Sequence, residues 1–294
     1  MSILPKIKEG GSIAFESLKS FLSGEPFQLA AALSYYTMLS IAPLLLVMIG
    51  VSGFLLGEEQ VREALVTQVR DLVGDEGASL LQTVSQNVGT NDRNHVSMIL
   101  GFVLMILGAT TVFAQLQTAL NRVWGVKAEP ANAILGFLRS RLLSLTVVLG
   151  LAFLLLVSLI FSAAISAFQT YLEGFLPGAD IIWSIANHAI SLILVALLLA
   201  MLFRYVPDVE ISWRDTVIGA LVTATLLTLG KYGIGVYLGR AGVGSPYGAA
   251  GSAVVFMVWV YYVSLILFLG AEITKAIARH RGNPLRPSAH AKRI

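Results

Sequence analysis

The chain has 294 residues, 56% of them hydrophobic and 13% charged, against about a quarter charged in a water-soluble globule, so a soluble fold is excluded and a membrane protein expected. With no cysteine it can form no disulfide, thiolate metal site or cysteine nucleophile. The net charge of +3 is small, but the Lys and Arg residues are segregated by loop, and that segregation carries the topology.

Residues 3 to 24 place Ala14, Phe15, Leu18, Phe21 and Leu22 on one helical face and Glu16, Lys19 and Ser20 on the other. This pattern predicts a short helix, either lying in the membrane interface or packed on a bundle. The first long apolar run begins near Leu29, behind this charged stretch, and is too long for the hydrophobic region of a cleavable signal peptide.

Leu29 to Leu56 predicts the first span. Tyr35, Tyr36 and Ser40, with Ser34 and Thr37, precede Pro43. The proline removes a backbone donor and crowds the carbonyl four residues back, so a kink is expected near Leu39. The hydroxyls are candidates to line a cavity or to bond helix to helix. Residues 57 to 94 form a polar excursion with two apolar stripes, Val61, Leu65, Val69 and Leu72, then Leu80, Leu81, Val84 and Val88, parted by Gly74-Asp75-Glu76-Gly77. Two amphipathic helices in an outer loop fit this pattern.

The second span, 96 to 120, ends in amides, with Gln117 and Asn121 on one face at i and i+4; Arg122 and Trp124 follow as interface anchors. The third span is 142 to 168. The fourth, 181 to 203, carries His188 and stops at Arg204-Tyr205-Val206-Pro207. A lone histidine there either bonds a neighbour or carries a proton. His95, His280 and His290 are scattered too, so neither a metal site nor a cofactor is expected.

The fifth span, 216 to 238, contains Lys231, an ammonium that must snorkel, pair or meet water. Some 23 Å of helix rise from residue 216 puts it in the outer part of the bilayer, either reaching outer headgroups or facing a cavity. Gly230, Gly233, Gly235 and Gly239 thin the same helix, and the last three, with Pro246 before the sixth span at 247 to 271, mark a candidate hinge. Glu272 is placed for an i, i+3 pair with Lys275 or, turned inward, for ion coupling. The tail from Lys275 to Ile294 is basic without an acid, which points to an anionic lipid surface, with no nucleic acid expected.

The expected fold is all-α: an interfacial segment 1–28, a six-span bundle 29–274 and a basic tail 275–294. With six spans, Lys6, Lys8, Lys19, Arg122, Lys127, Arg139, Arg141, Arg204, Arg214 and the tail fall on one side, and only Arg62, Arg70, Arg93 and Arg240 on the other. The asymmetry places both termini in the cytoplasm. An enzyme is not expected, because no nucleotide-binding glycine loop, nucleophile elbow or histidine-rich hydrolase motif is present.

Three stretches together resemble the YihY/BrkB family of bacterial inner-membrane proteins: AAALSYYTMLSIAPLLLV at Ala30 to Val47, TALNRVWGV at Thr118 to Val126, and SPYGAAGSAVVFMVWVYYVSLILFLGAEI at Ser245 to Ile273. RYVPDVEISWRDTVIGAL is similar to the family's connection between the fourth and fifth spans. The resemblance implies six spans with both termini inside. Members have carried the label ribonuclease BN, which isolated histidines do not support. Others have been associated with virulence, serum resistance and envelope lipid traffic. The residues fit a transporter of a lipid, amphiphile or small ion, or a non-transporting scaffold or envelope assembly factor. Membrane lipids and a homo-oligomer are the expected partners.

Overall fold

The computed structural model describes residues 3–73, 75–88, 111–129, 180–241, 247, 250–283, 285–288 and 290–293. The protein is mostly helical. Helix α1 is Ile3–Ser23, α2 Pro26–Leu56, α3 Glu58–Val73 and α4 Asp75–Val88. Helix α5 covers residues 111–124 of the described chain. Strand β1 is Val126–Ala128, α6 Asp180–Tyr205, β2 Val209–Glu210, α7 Trp213–Ala241, α8 Gly251–His280, β3 Arg286–Pro287 and β4 Ala291–Arg293.

The start of α2 is set locally. Pro26 occupies the first helical position, where its missing N–H is no loss, and Glu25 before it turns the chain with φ 54°. The helix continues through Pro43 to Leu56. Its hydroxyls bond back to their own helix, Ser34 to the Ala31 carbonyl at 2.9 Å and Thr37 to Leu33 at 2.7 Å. This satisfies them where water is scarce. The two stripes of the polar excursion do become helices, α3 and α4. Val61, Leu65 and Leu81 pack with Ile41 of α2 and Val255, Phe256 and Val260 of α8.

Helix α8 is the hub, packing on α1, α2, α4 and α7. A second, larger core joins Leu29, Ala30 and Leu33 of α2, Leu116, Ala119 and Leu120 of α5, Leu199 and Phe203 of α6, Ala220 and Ala224 of α7, and Phe268 and Ala271 of α8. The α5 members recur at helical spacing, which is why that segment must be a helix to bury them.

Helices α7 and α8 approach through reciprocal glycine and threonine pairs. A Cβ on Gly219 would lie 1.8 Å from Thr274 Oγ1, and one on Gly270 2.0 Å from Thr223 Oγ1. Each threonine hydroxyl bonds the carbonyl of the glycine on its own helix, Thr223 to Gly219 at 2.7 Å and Thr274 to Gly270 at 2.8 Å. Further along, the Tyr262 hydroxyl fills the notch over Gly230. The pairing is antiparallel, since position rises on α7 as it falls on α8. Gly233, by contrast, is exposed with open space where a Cβ would go. Gly235 and Gly239 lie within α7, and Pro246 lies outside the described residues.

Two short ladders close one end of the bundle. Strand β1 pairs with β4, placing Lys127 opposite Lys292, and β2 pairs with β3, placing Glu210 opposite Arg286. The segment after α8 is thereby folded onto the connections that follow α5 and α6. Sequence patterns alone did not suggest these strands.

Among the described residues, His188–Tyr205 within α6 and all of α8 are long and apolar enough to cross a membrane. Ile193, Leu197, Leu221 and Leu229 stand exposed on α6 and α7, a surface suited to lipid rather than water. The Tyr205 and Trp213 rings meet edge-on at 6.0 Å, with the Arg204 guanidinium 5.9 Å from the indole. The third expected span, 142 to 168, and the second up to residue 110 lie outside the described residues.

Candidate functional site

Polar side chains that the sequence scatters over five segments converge at the end of the bundle closed by the strands. Gln117 and Asn121 share one face of α5, as their spacing requires, and that face meets the α6–α7 connection. Asn121, buried, donates from Nδ2 to Asp208 Oδ2 at 2.8 Å and accepts the Asp208 backbone N–H on Oδ1 at 2.7 Å. Gln117 Nε2 donates to the same carboxylate oxygen at 3.3 Å. The amides therefore fix the turn after α6.

Immediately after core residue Ala271 on α8, Glu272 forms the expected i, i+3 pair with Lys275, with Nζ 3.2 Å from Oε2. The pair is buried, the carboxylate side chain 6% and the lysine 12% exposed. Lys275 also donates to the Val123 carbonyl at 2.6 Å. The carbonyl is one that the end of α5 would otherwise leave unbonded, so this lysine ties α8 to α5.

A third node lies at the first turn of α7. Asp215 is 0% exposed, yet both carboxylate oxygens are satisfied, Oδ1 by Arg281 Nη1 at 3.1 Å and Oδ2 by Asn283 Nδ2 at 2.6 Å. Around these nodes runs a rim of exposed ion pairs, Arg122 with Glu25, Arg279 with Glu16 and Lys292 with Glu129. Pairs of that kind contribute about 0–1 kcal/mol each, so the three nodes, built on buried Asn121, Glu272 and Asp215, carry the closure. Every carboxylate in the nodes is engaged by a cation or amide. The arrangement can hold segments together and part when water or a ligand replaces its donors.

The remaining candidates lie elsewhere. Tyr35 is exposed and meets Tyr36 edge-on at 5.7 Å, while Tyr36 packs against the core. Ser40 is buried within α2. His188 is exposed on α6, and Lys231 is half-buried on α7. About 27 Å of helix rise separates Lys231 from Trp213 and about 10 Å separates Gln117 from Trp124. Asp208, Asp215, Arg281 and Asn283 were missed by sequence reasoning. An acid in the first turn of α7 was the only available signal, and it reads as a helix start.

Residues 17–294 match the family model described as Virulence factor BrkB. A UPF0761 membrane protein of Chromobacterium violaceum is 28% identical over 261 residues, covering 88% of this chain and 60% of that protein. One from Stenotrophomonas maltophilia is 26% identical over 270 residues, covering 90% and 60%. One from Rhodospirillum centenum is 26% identical over 288 residues, covering 95% and 60%. The chain thus spans about 60% of the length of these curated relatives. No solved structure matches.

Proposed function

The chain belongs to the virulence factor BrkB family of membrane proteins, and from that membership we propose that it is a multi-pass inner-membrane transporter of a lipid, an amphiphile or a small ion. On this reading six spans cross the bilayer and both termini are cytoplasmic, which puts the strand-closed end of the bundle on the cytoplasmic side. The observation that carries the proposal is the set of polar nodes at that end, Asn121 with half-buried Asp208, buried Glu272 with Lys275 and buried Asp215 with Arg281. Burying charge costs several kcal/mol per ion before pairing, and a static bundle gains more from apolar contacts. Contacts that exchange readily with water suit an end that must open and reseal. Lys231, in the outer half of α7, is then a candidate contact for an anionic group on the cargo.

The same nodes weigh against a scaffold that recruits partners through a free basic tail. Lys275, Arg279, Arg281 and Lys292 are each held by an acid of this chain.

The test is reconstitution of the purified protein into liposomes, following a fluorescent-headgroup lipid against an external quencher and, in parallel, ion flux. Movement above protein-free vesicles, reduced several-fold by Lys231→Ala, supports transport and the lysine's place on the path. Movement unchanged by Lys231→Ala removes the lysine from the path. Absence of both lipid and ion movement contradicts the proposal.

A further inference from the structure

A surface cavity of about 450 Å³ opens between the start of α7 and the turn after α8, lined by Arg214, Asp215, Ile218, Arg281 and Asn283. We propose that it binds one monoanionic phosphate group, of the kind an anionic lipid headgroup carries, as a resident ligand separate from any cargo path.

The floor of the cavity is built from within. Fully buried Asp215 spends one carboxylate oxygen on Arg281 and the other on Asn283. Both side chains are thereby held in place without a ligand. Arg281 gives Asp215 only part of its donor set, since a guanidinium has five N–H groups, and its side chain is 45% exposed. Arg214, which also lines the cavity and is exposed, makes no ion pair among the described residues. Two guanidinium groups against one carboxylate leave the cavity with a net charge of +1, equal and opposite to a phosphodiester. The planar fork of arginine matches phosphate oxygens, and charge-assisted bonds of this type are the strong ones.

The surroundings favour a lipid as the source of the phosphate. Trp213, the residue before Arg214, meets Tyr205 edge-on with the Arg204 guanidinium 5.9 Å from its indole, the side chains that collect at a membrane interface. From Ile218 the surface of α7 continues through exposed Leu221 and Val222, an apolar flank along which glycerol and acyl chains can lie.

The experiment uses the full chain in detergent and reads its thermal midpoint during titration with short-chain phosphatidylglycerol, short-chain phosphatidylcholine or inorganic phosphate. Arg214→Gln is the variant, because Arg214 is exposed and its loss leaves the Asp215 node intact. Half-saturation by phosphatidylglycerol is expected to shift about tenfold upward in the variant, the size of one charge-assisted bond, with the unliganded midpoint unchanged and phosphatidylcholine without effect. A midpoint shift by inorganic phosphate with the same dependence on Arg214 supports the anion site and makes free phosphate its occupant. Equal responses of the two proteins to phosphatidylglycerol, or a response to phosphatidylcholine as large, overturn the proposal.

Discussion

Glu272→Ala is expected to destabilise the protein by about 3–5 kcal/mol, the cost of removing one partner from a buried ion pair. Glu272 is 5% exposed and lies against a lysine side chain only 12% exposed. Without the carboxylate, the Lys275 ammonium keeps the neutral Val123 carbonyl and nothing else among its observed partners. With its side chain only 12% exposed, it gains little hydration in place of the lost carboxylate. Glu272→Gln retains an acceptor and loses less. Replacing both members, Glu272→Leu with Lys275→Leu, removes the unpaired charge and is expected to recover most of the loss, because an apolar pair of similar volume needs no desolvation. Unfolding midpoints in detergent for Glu272→Leu, Lys275→Leu and the double variant give the coupling directly. A Glu272→Ala protein as stable as the wild type would mean that the pair is hydrated and holds nothing.

Gly270→Ala is expected to cost about 3 kcal/mol, at the upper end for overpacking. The added methyl would sit 2.0 Å from Thr223 Oγ1 and 2.6 Å from its Cγ2. Thr223 cannot swing away cheaply, because it is fully buried and its hydroxyl is bonded to Gly219. Relief requires α7 and α8 to move apart, which also loosens the facing Gly219 and Thr274 contact. Thr223→Ala in the same chain clears the two nearest atoms and is expected to restore part of the stability. Gly233→Ala serves as the contrast, since open space lies where its methyl would go. There the better helix propensity of alanine is expected to leave stability unchanged or raise it by up to about 1 kcal/mol. Equal losses for Gly270→Ala and Gly233→Ala would contradict the interlocked packing.

These two positions also mark what the sequence could tell. Periodicity was enough for α3 and α4, whose stripes at Val61, Leu65, Leu80 and Leu81 are the residues that pack. It was enough to put Gln117 and Asn121 on one face and to pair Glu272 with Lys275, because such relations lie within one helix. It could not name Asp208 as the partner of those amides or show that Asp215 is buried, because both depend on which connection folds against which helix. The same reason explains the glycines. The run Gly230, Gly233, Gly235 and Gly239 stands out in composition, and Gly230 is one of the close approaches; among the described glycines the others fall at Gly219 and Gly270, where a threonine of the other helix happens to face. Strands β1 to β4 are two or three residues long, too short for an alternating pattern, and their pairing joins segments far apart in the chain. Beyond Lys275 the basic tail therefore read as free charge, whereas Arg279, Arg281 and Lys292 are bound to acids of the same chain.

If the protein transports as proposed, the strand-closed end of the bundle must open for cargo to pass. The absence of cysteine makes a direct test clean. Lys127→Cys and Lys292→Cys place thiols on residues that face each other across the β1 and β4 ladder, near enough to cross-link. With the double variant in liposomes and cross-linking verified on a gel, transport is measured under oxidising conditions and again after reduction. The account predicts that oxidation lowers transport to the level of protein-free vesicles and that reduction restores it. Transport at the same rate with the cross-link intact would contradict it.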